Sequence, residues 1–290
     1  MTRRLVLLPG LRAIPSGTDE IHIGPGATAV LRVPATAPVR RALAAIDRGE
    51  MPPTDPPGRA ALRLLAPVLV DADVLSPPEL DGGDVAALAA GDPVRLSPRL
   101  RARRAMPTAV VGSLGIDPVP LLLAAGLVVV DQADEPRSVL VPGYGEIDRE
   151  ETDHWLHAGC AHLPVRALGA RIVLGPLVVP GRTACLRCLE CHRTAADPRY
   201  PLLLGRHLAA VRHDGVAAPR DSALAALALG WAVRDLVSLA EGGRPATWST
   251  TIELGPDLDR IARTPWLRHP GCSCSWATDL DAHVSDTMGP

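Results

Sequence analysis

The sequence predicts an α/β protein in two modules. A small N-terminal module has three short strands followed by helices, and a larger module alternates short strands with helices around a sheet. Three observations carry this reading. Apolar residues recur with a period of two in some stretches and of 3.6 in others, so neither strands nor helices persist alone. The 30 prolines and 26 glycines break the 290 residues into many short elements, which excludes a helical bundle. A Gly-, Asp- and Arg-rich stretch over 81–107 has little periodicity and separates the two modules.

In the first module, residues 11–14 and 20–23 are short β-type runs with Pro15-Ser16-Gly17-Thr18 between them as a turn. A Gly24-Pro25-Gly26 break precedes the third strand, Ala29-Val30-Leu31-Arg32-Val33, which Pro34 stops. Residues 35–47 read as a helix with Val39, Ala42, Leu43 and Ile46 on one face. The Pro-rich connection over 51–57 has room for one short helix, and residues 59–70 form another, with Leu62, Leu65, Ala66 and Leu69 as its apolar face. Three strands followed by two or three helices outline a winged-helix domain over residues 1–90; a structural N-terminal cap has the same outline. A linker over 91–107 follows, in which Arg99, Arg101, Arg103 and Arg104 form a solvated basic stretch.

The second module, residues 108–278, begins with Ala109-Val110-Val111 running into Gly112-Ser113-Leu114-Gly115. A helix-like stretch to Ala125, then Gly126 and a buried strand over 127–130, lead to Asp131. Strand, glycine turn, helix, strand and acid is the order of a Rossmann nucleotide-binding unit. There the turn lets backbone N–H groups reach phosphates, and the acid binds ribose hydroxyls. Gly112, Gly115 and Asp131 are the candidate nucleotide-binding residues, but their setting is degenerate. With Gly112 as the first glycine of GxGxxG, Leu114 and Asp117 take the second and third positions. Asp117 sets negative charge near the helix start, and Pro118 and Pro120 remove N–H donors from its first turn. The pattern is consistent with a truncated Rossmann-like fold that has lost phosphate binding.

Further strands are expected over 138–141, 163–165 and within 171–179, with a helix over 149–158 between the first two. Residues 221–240 form the longest helix, and Leu224, Leu227, Ala228, Trp231, Leu236 and Leu239 cover more than one of its faces. So wide an apolar surface implies a buried helix or a homodimer interface. A terminal strand spans 247–254, and residues 279–290 are a polar, frayed tail.

Cysteine spacing is the strongest chemical signal. Cys185-Leu186-Arg187-Cys188 is a CxxC, and Cys272-Ser273-Cys274 is a CxC far downstream. Two such pairs brought together place four thiolates around a structural Zn²⁺, with Arg187 and nearby N–H groups offsetting their charge. A tetrathiolate is coordinatively closed, so it would clip the C-terminal segment in place and perform no catalysis. Cys191 and His192 follow at a spacing from which the fourth ligand could exchange, and rank as spare groups. Cys160, between His157 and His162, reads as a lone buried thiol rather than a nucleophile.

Composition removes several function classes. All 30 basic residues are Arg, and the chain has no Lys, no Asn and no Phe. Walker-type phosphate binding and Schiff-base catalysis both need a lysine amine. A net charge of −2 argues against nucleic-acid binding. No apolar run reaches the roughly 18 residues of a membrane span, and the apolar N-terminal segment is too short for a secretion signal. The expected location is the cytoplasm, where the six Cys are thiols or metal ligands.

The run Val173-Leu174-Gly175-Pro176-Leu177-Val178-Val179-Pro180-Gly181-Arg182-Thr183-Ala184-Cys185-Leu186-Arg187-Cys188 resembles the ThiF-like family related to ubiquitin-activating enzymes. His192-Arg193-Thr194, Asp197-Pro198 and His269-Pro270-Gly271-Cys272-Ser273-Cys274 fit the same actinobacterial branch. That branch lies beside YcaO cyclodehydratases in clusters for ribosomally made, post-translationally modified peptides (RiPPs), and includes proteins that bind the leaders of azole-forming precursors. The match spans about residues 105–276, and the cysteine blocks are its specific part.

In that branch the N-terminal region is a winged-helix RiPP recognition element. The precursor's leader adds as a strand against its third strand and packs on its third helix. The resemblance therefore implies a peptide groove formed by Val30, Leu31, Arg32 and Val33 with Arg59, Leu62, Arg63 and Ala66. An unpaired strand edge supplies main-chain hydrogen bonds to such a peptide, and Arg32, Arg59 and Arg63 would favour an acidic leader. Active ThiF-like enzymes adenylate a C-terminal carboxylate with an intact glycine loop, Arg and Lys on the phosphates and an Asp-bound Mg²⁺. This chain has no Lys, lacks two of the three glycines and is very short between Asp131 and Ser138. Together these imply a non-catalytic scaffold, without ATP, that binds the leader and presents it to a YcaO-type or other modifying enzyme. The alternative is an ATP-dependent ThiF-like adenylyltransferase acting on a peptide carboxylate.

Overall fold

The structure, a computed structural model, describes residues 4–26, 29–72, 88, 95–211, 219–258 and 261–275. The chain divides into two compact units, Met1–Arg101 and Ala102–Pro290.

The first unit runs β1 (Leu5–Leu7), β2 (Arg12–Ser16), β3 (Glu20–Gly24), β4 (Leu31–Pro34), α1 (Ala37–Asp47), α2 (Pro56–Leu65) and β5 (Leu69–Asp71), and most of α3 (Leu96–Arg104). Strands β2, β3 and β4 form an antiparallel sheet in that order, with Ile21 opposite Val33 and His22 opposite Arg32. Asp55 caps α2 by accepting the Gly58 N–H at 2.8 Å, and the prolines at 56 and 57 have no N–H there to satisfy. Ile21, Ile23 and Val33 from the sheet share one core with Val39, Ala42 and Leu43 of α1 and Ala61 and Leu65 of α2. The helix expected over 59–70 ends earlier. A 3₁₀ turn, Ala66–Val68, leads into β5, which pairs antiparallel with β1. Pro67 explains the stop: it cannot donate to the Arg63 carbonyl, and its ring crowds that turn of helix. Pairing with β1 is a long-range contact that local periodicity does not announce.

The basic stretch expected to be solvated is helical. Leu96 and Leu100 are buried with Leu8 and Val70. At the start of the second unit Arg103 is only 2% exposed; it pairs with Glu241 and donates to the Ala125 carbonyl at 2.6 Å.

The second unit continues with β6 (Thr108–Val110), α4 (Val119–Ala124), β7 (Ser138–Tyr144), α5 (Glu150–His157), β8 (Ala161–Leu168) and β9 (Arg171–Leu174). Helices α6 (Leu186–Ala196), α7 (Tyr200–Val211) and α8 (Ser222–Ala240) follow, then β10 (Thr250–Leu254) and β11 (Ala262–Pro265). One mixed sheet is ordered β11-β10-β9-β8-β7-β6; β6, β7 and β8 are parallel and the rest antiparallel. Val129 bridges Thr108 in parallel on the outer side of β6, so the run over 127–130 makes one bridge rather than a full strand. Alternation along β7 sets the layers. Leu140 joins Leu224, Ala228, Leu229 and Leu236 of α8 in the main core. Val139 and Val141 face the other way, packing with Ala109, Trp155 of α5 and Cys160.

Asp221 caps α8 through the N–H groups of Ala223 and Leu224. This helix is long and apolar enough to cross a bilayer by length and composition, a property the sequence reading did not register. Its buried face is the wall of the sheet core. Helices α6 and α7 and strand β11 were not expected from the sequence.

Candidate functional site

Two chain segments meet at the four cysteines. Cys185 is the extended residue that opens α6, and Cys188 lies one turn into that helix. The preceding turn is fixed by the Val179 N–H donating to the Thr183 hydroxyl at 2.7 Å. Cys272 and Cys274 sit in a tight turn, where the Cys272 N–H donates to the His269 carbonyl. Arg268 ties the segments together by donating to the carbonyls of Gly181 and Cys274. The sulfurs of Cys185 and Cys188 lie 3.7 Å apart, as do those of Cys185 and Cys272; Cys188 and Cys274 are at 3.3 Å, and all four fall within 4.8 Å of one another. A tetrahedron with Zn–S bonds of about 2.3 Å has edges of about 3.8 Å, so this donor set fits zinc in chemistry and spacing. Cys185, Cys188 and Cys272 are buried, while Cys274 is half-buried.

The surroundings favour thiolate at Cys188. Donation from the Cys185 thiol, chiefly, and from the His269 N–H at 3.3 Å brings it down to about 4. The Arg187 guanidinium bonds Asp153 of α5 at 2.5 Å, and the negative charge of Cys272 and Cys185 acts on it in the same stabilising sense, as expected of a group that offsets thiolate charge. Cys191 packs on the cysteine group without belonging to the four. The His192 Nε2 bonds the Leu267 carbonyl at 2.9 Å and its ring lies edge-on to that of His269, so it holds the C-terminal segment in place. Cys160 is buried, gives its S–H to the Pro136 carbonyl and is pushed up to about 11 by burial, which keeps it a neutral thiol.

At the other end of the sheet, Gly112, Val130 and Asp131 line a cleft of about 430 Å³. Gly112 has φ +102°, and a Cβ there would come within 2.3 Å of the Pro142 carbonyl oxygen. Gly115 has φ +67° and lies under Arg220, whose guanidinium donates to the Tyr144 hydroxyl at 2.8 Å. The Asp131 carboxylate accepts the Ala133 N–H, and Asp117 accepts that of Val119. Nothing in the local sequence pointed to Arg220, which arrives from more than a hundred residues downstream.

In the first unit, β4 is an edge strand, and no strand pairs beyond it among the described residues. Val33 is buried, Leu31 and Leu62 are half-buried against the same core, and Val30, Arg32, Arg59, Arg63 and Ala66 are exposed. The Arg59 guanidinium donates to the Thr54 carbonyl at 2.5 Å. The sequence missed a further cleft of about 670 Å³, where Arg149, Glu190 and Cys191 face Tyr200, Leu204 and Leu208 of α7. It could not be found without α7, whose apolar residues show no clear helical stripe in the sequence.

No family model matches the chain, and no curated protein matches it. Solved structures do. The heterocyclase TruD matches with a TM-score of 0.63 and 17% identity, over 94% of this chain and 43% of its own. A heterocyclase in complex with substrate and cofactor matches with a TM-score of 0.63 and 18% identity, over 94% and 39%. MccB of E. coli matches with a TM-score of 0.53 and 12% identity, over 93% and 96%. The chain thus spans about two fifths of the heterocyclases' length and nearly all of MccB's. At these identities the likeness is one of fold: this chain is built as TruD and MccB are built.

Proposed function

We propose that the chain is a non-catalytic scaffold of RiPP biosynthesis. It binds the leader of a precursor peptide on its first unit and presents it, in the cytoplasm, to a YcaO-type cyclodehydratase or another modifying enzyme. The observation that carries this is the β4 edge. It is open, its inward residues share a core with α2, and Arg32 and Arg63 stand exposed beside it. An extended leader would add as a fourth strand, gaining main-chain hydrogen bonds along the edge and charge attraction from the arginines. We read the first unit as a winged-helix recognition element and the second as a degenerate ThiF-type domain clipped by zinc. The fold is shared with MccB, which is known in complex with N-formylated MccA. The test is fluorescence polarisation with a labelled, acidic leader peptide of a RiPP precursor. Saturable binding to the wild type, weakened in an R32E/R63E double variant, supports the reading; unchanged affinity in that variant overturns the site.

A second reading, an ATP-dependent adenylyltransferase, is favoured by the cleft holding Gly112 and Asp131 and by the fold shared with MccB, also known with ATP. Against it, Arg220 already packs on Gly115, Asp131 already accepts a backbone N–H, and no lysine exists to face phosphates. Peptide-dependent exchange of pyrophosphate into ATP would establish this second reading and displace the first.

A further inference from the structure

We propose that Cys191 is a reserve ligand of the four-cysteine centre, taking the fourth vertex when Cys274 leaves it. The inference rests on the zinc reading of that centre and adds a residue to it.

Three of the four sulfurs, those of Cys185, Cys188 and Cys272, belong to buried residues; Cys274 is the half-buried member, in the turn Ser273–Ser275. Cys191 is half-buried as well and packs against the same cysteine group. It lies on α6 one turn after Cys188, and residues three apart on a helix are neighbours on one face, with Cβ atoms about 5–6 Å apart. The centre thus has a fixed base of three sulfurs and two thiols at its rim. One rim thiol is on a rigid helix and the other on a short turn.

Exchange conserves charge and ligand number. As the Cys191 sulfur binds the metal its thiol proton leaves, and the departing Cys274 thiolate takes up a proton. A coordinating thiol is deprotonated by the metal itself, so a neutral Cys191 is no obstacle. Cys191 also lines the 670 Å³ cleft between α6 and α7, which gives its side chain room to change rotamer. The consequence is a centre that keeps its metal while the segment after Cys272 is released.

The test uses the full zinc-loaded chain. Substoichiometric iodoacetamide and peptide mass spectrometry read the initial labelling rate at Cys274 in the wild type and in C191S. With a reserve ligand, Cys274 is labelled at least tenfold faster in the wild type than in C191S, and zinc stays bound; equal rates overturn the proposal. A second measurement uses C274S substituted with cobalt. A four-thiolate charge-transfer band that drops to three in C191S/C274S supports the exchange, and a three-thiolate band already in C274S overturns it. A wild-type chain without stoichiometric zinc overturns the metal centre itself, an outcome distinct from the other two.

Discussion

Removing the proposed zinc from the four cysteines tests the clip most directly. A zinc ion held by them would close a loop between Cys188 and Cys272, and its effect on the unfolded chain follows from that loop's length. For a loop of roughly 85 residues, the chain-entropy relation used for cross-links gives about 4–5 kcal/mol of stabilisation at 25 °C. Every tryptophan in the sequence lies at or beyond position 155, so intrinsic fluorescence follows the second unit alone. With a urea m-value of about 2 kcal/mol/M, the midpoint of that transition falls by roughly 2 M when zinc is stripped under reducing conditions. C185S should unfold at the midpoint of the stripped wild type, and chelator should move it no further. The two readouts constrain each other, since a non-specific effect of chelator would persist in C185S. Coincident transitions for loaded and stripped wild type, or a C185S chain that still responds to chelator, would refute the argument.

Other consequences can be measured independently. In the leader assay, each exposed arginine contributes up to about 1 kcal/mol, so R32E/R63E should weaken binding by roughly ten- to thirtyfold, with a smaller ratio at high salt. His162 is buried on β8 and held down to about 4, chiefly by desolvation. The unfolded chain therefore binds a proton near pH 6.5 that the folded chain refuses, and stability falls as pH drops from about 6.5 to about 4. That difference is about 3 kcal/mol, and H162Q should flatten it relative to wild type in urea titrations at both pH values. Asp235 of α8 is buried and accepts the N–H groups of Ala246 and Thr247 and the Thr247 hydroxyl. D235A leaves these buried donors without their acceptor and should cost about 3–5 kcal/mol, read as a lowered midpoint on the same fluorescence transition.

What the sequence made legible was local. The CxxC and CxC pairs announced a centre because metal-ligand spacing is a property of short segments, and the four sulfurs do converge. The helices α1, α5 and α8 lie within a few residues of their expected spans; α1 buries the regular apolar face its spacing announced, and α8 its wide apolar surface. The misses share a cause. Strand β5 exists because β1 pairs with it from more than sixty residues away, and β11 exists because β10 offers an edge. Arg103 read as solvated because its partner, Glu241, is 138 positions distant. Helix α7 carries Leu202 and Leu203 about half exposed, so no polar-apolar alternation marked it.

The glycine turn shows how packing alone can hold residues that read as nucleotide-binding in the sequence. Packing alone requires Gly112, because a side chain there would meet the Pro142 carbonyl. Asp131 satisfies the turn that follows it, and Gly115 accommodates Arg220, which reaches on to Tyr144. Each residue that reads as nucleotide-binding in the sequence thus has a structural task that holds it in place. The all-arginine composition bears on the same point. An arginine could in principle replace a phosphate-facing lysine, but the one found at this turn is hydrogen-bonded to Tyr144 and fills the space over Gly115. The β4 edge is different. The guanidinium groups of Arg32 and Arg63 make no hydrogen bond or ion pair among the described residues, and the strand's outer side has no neighbour there. Groups without an internal task are the ones a peptide can engage, which is why mutagenesis should begin at β4 rather than at the glycine turn.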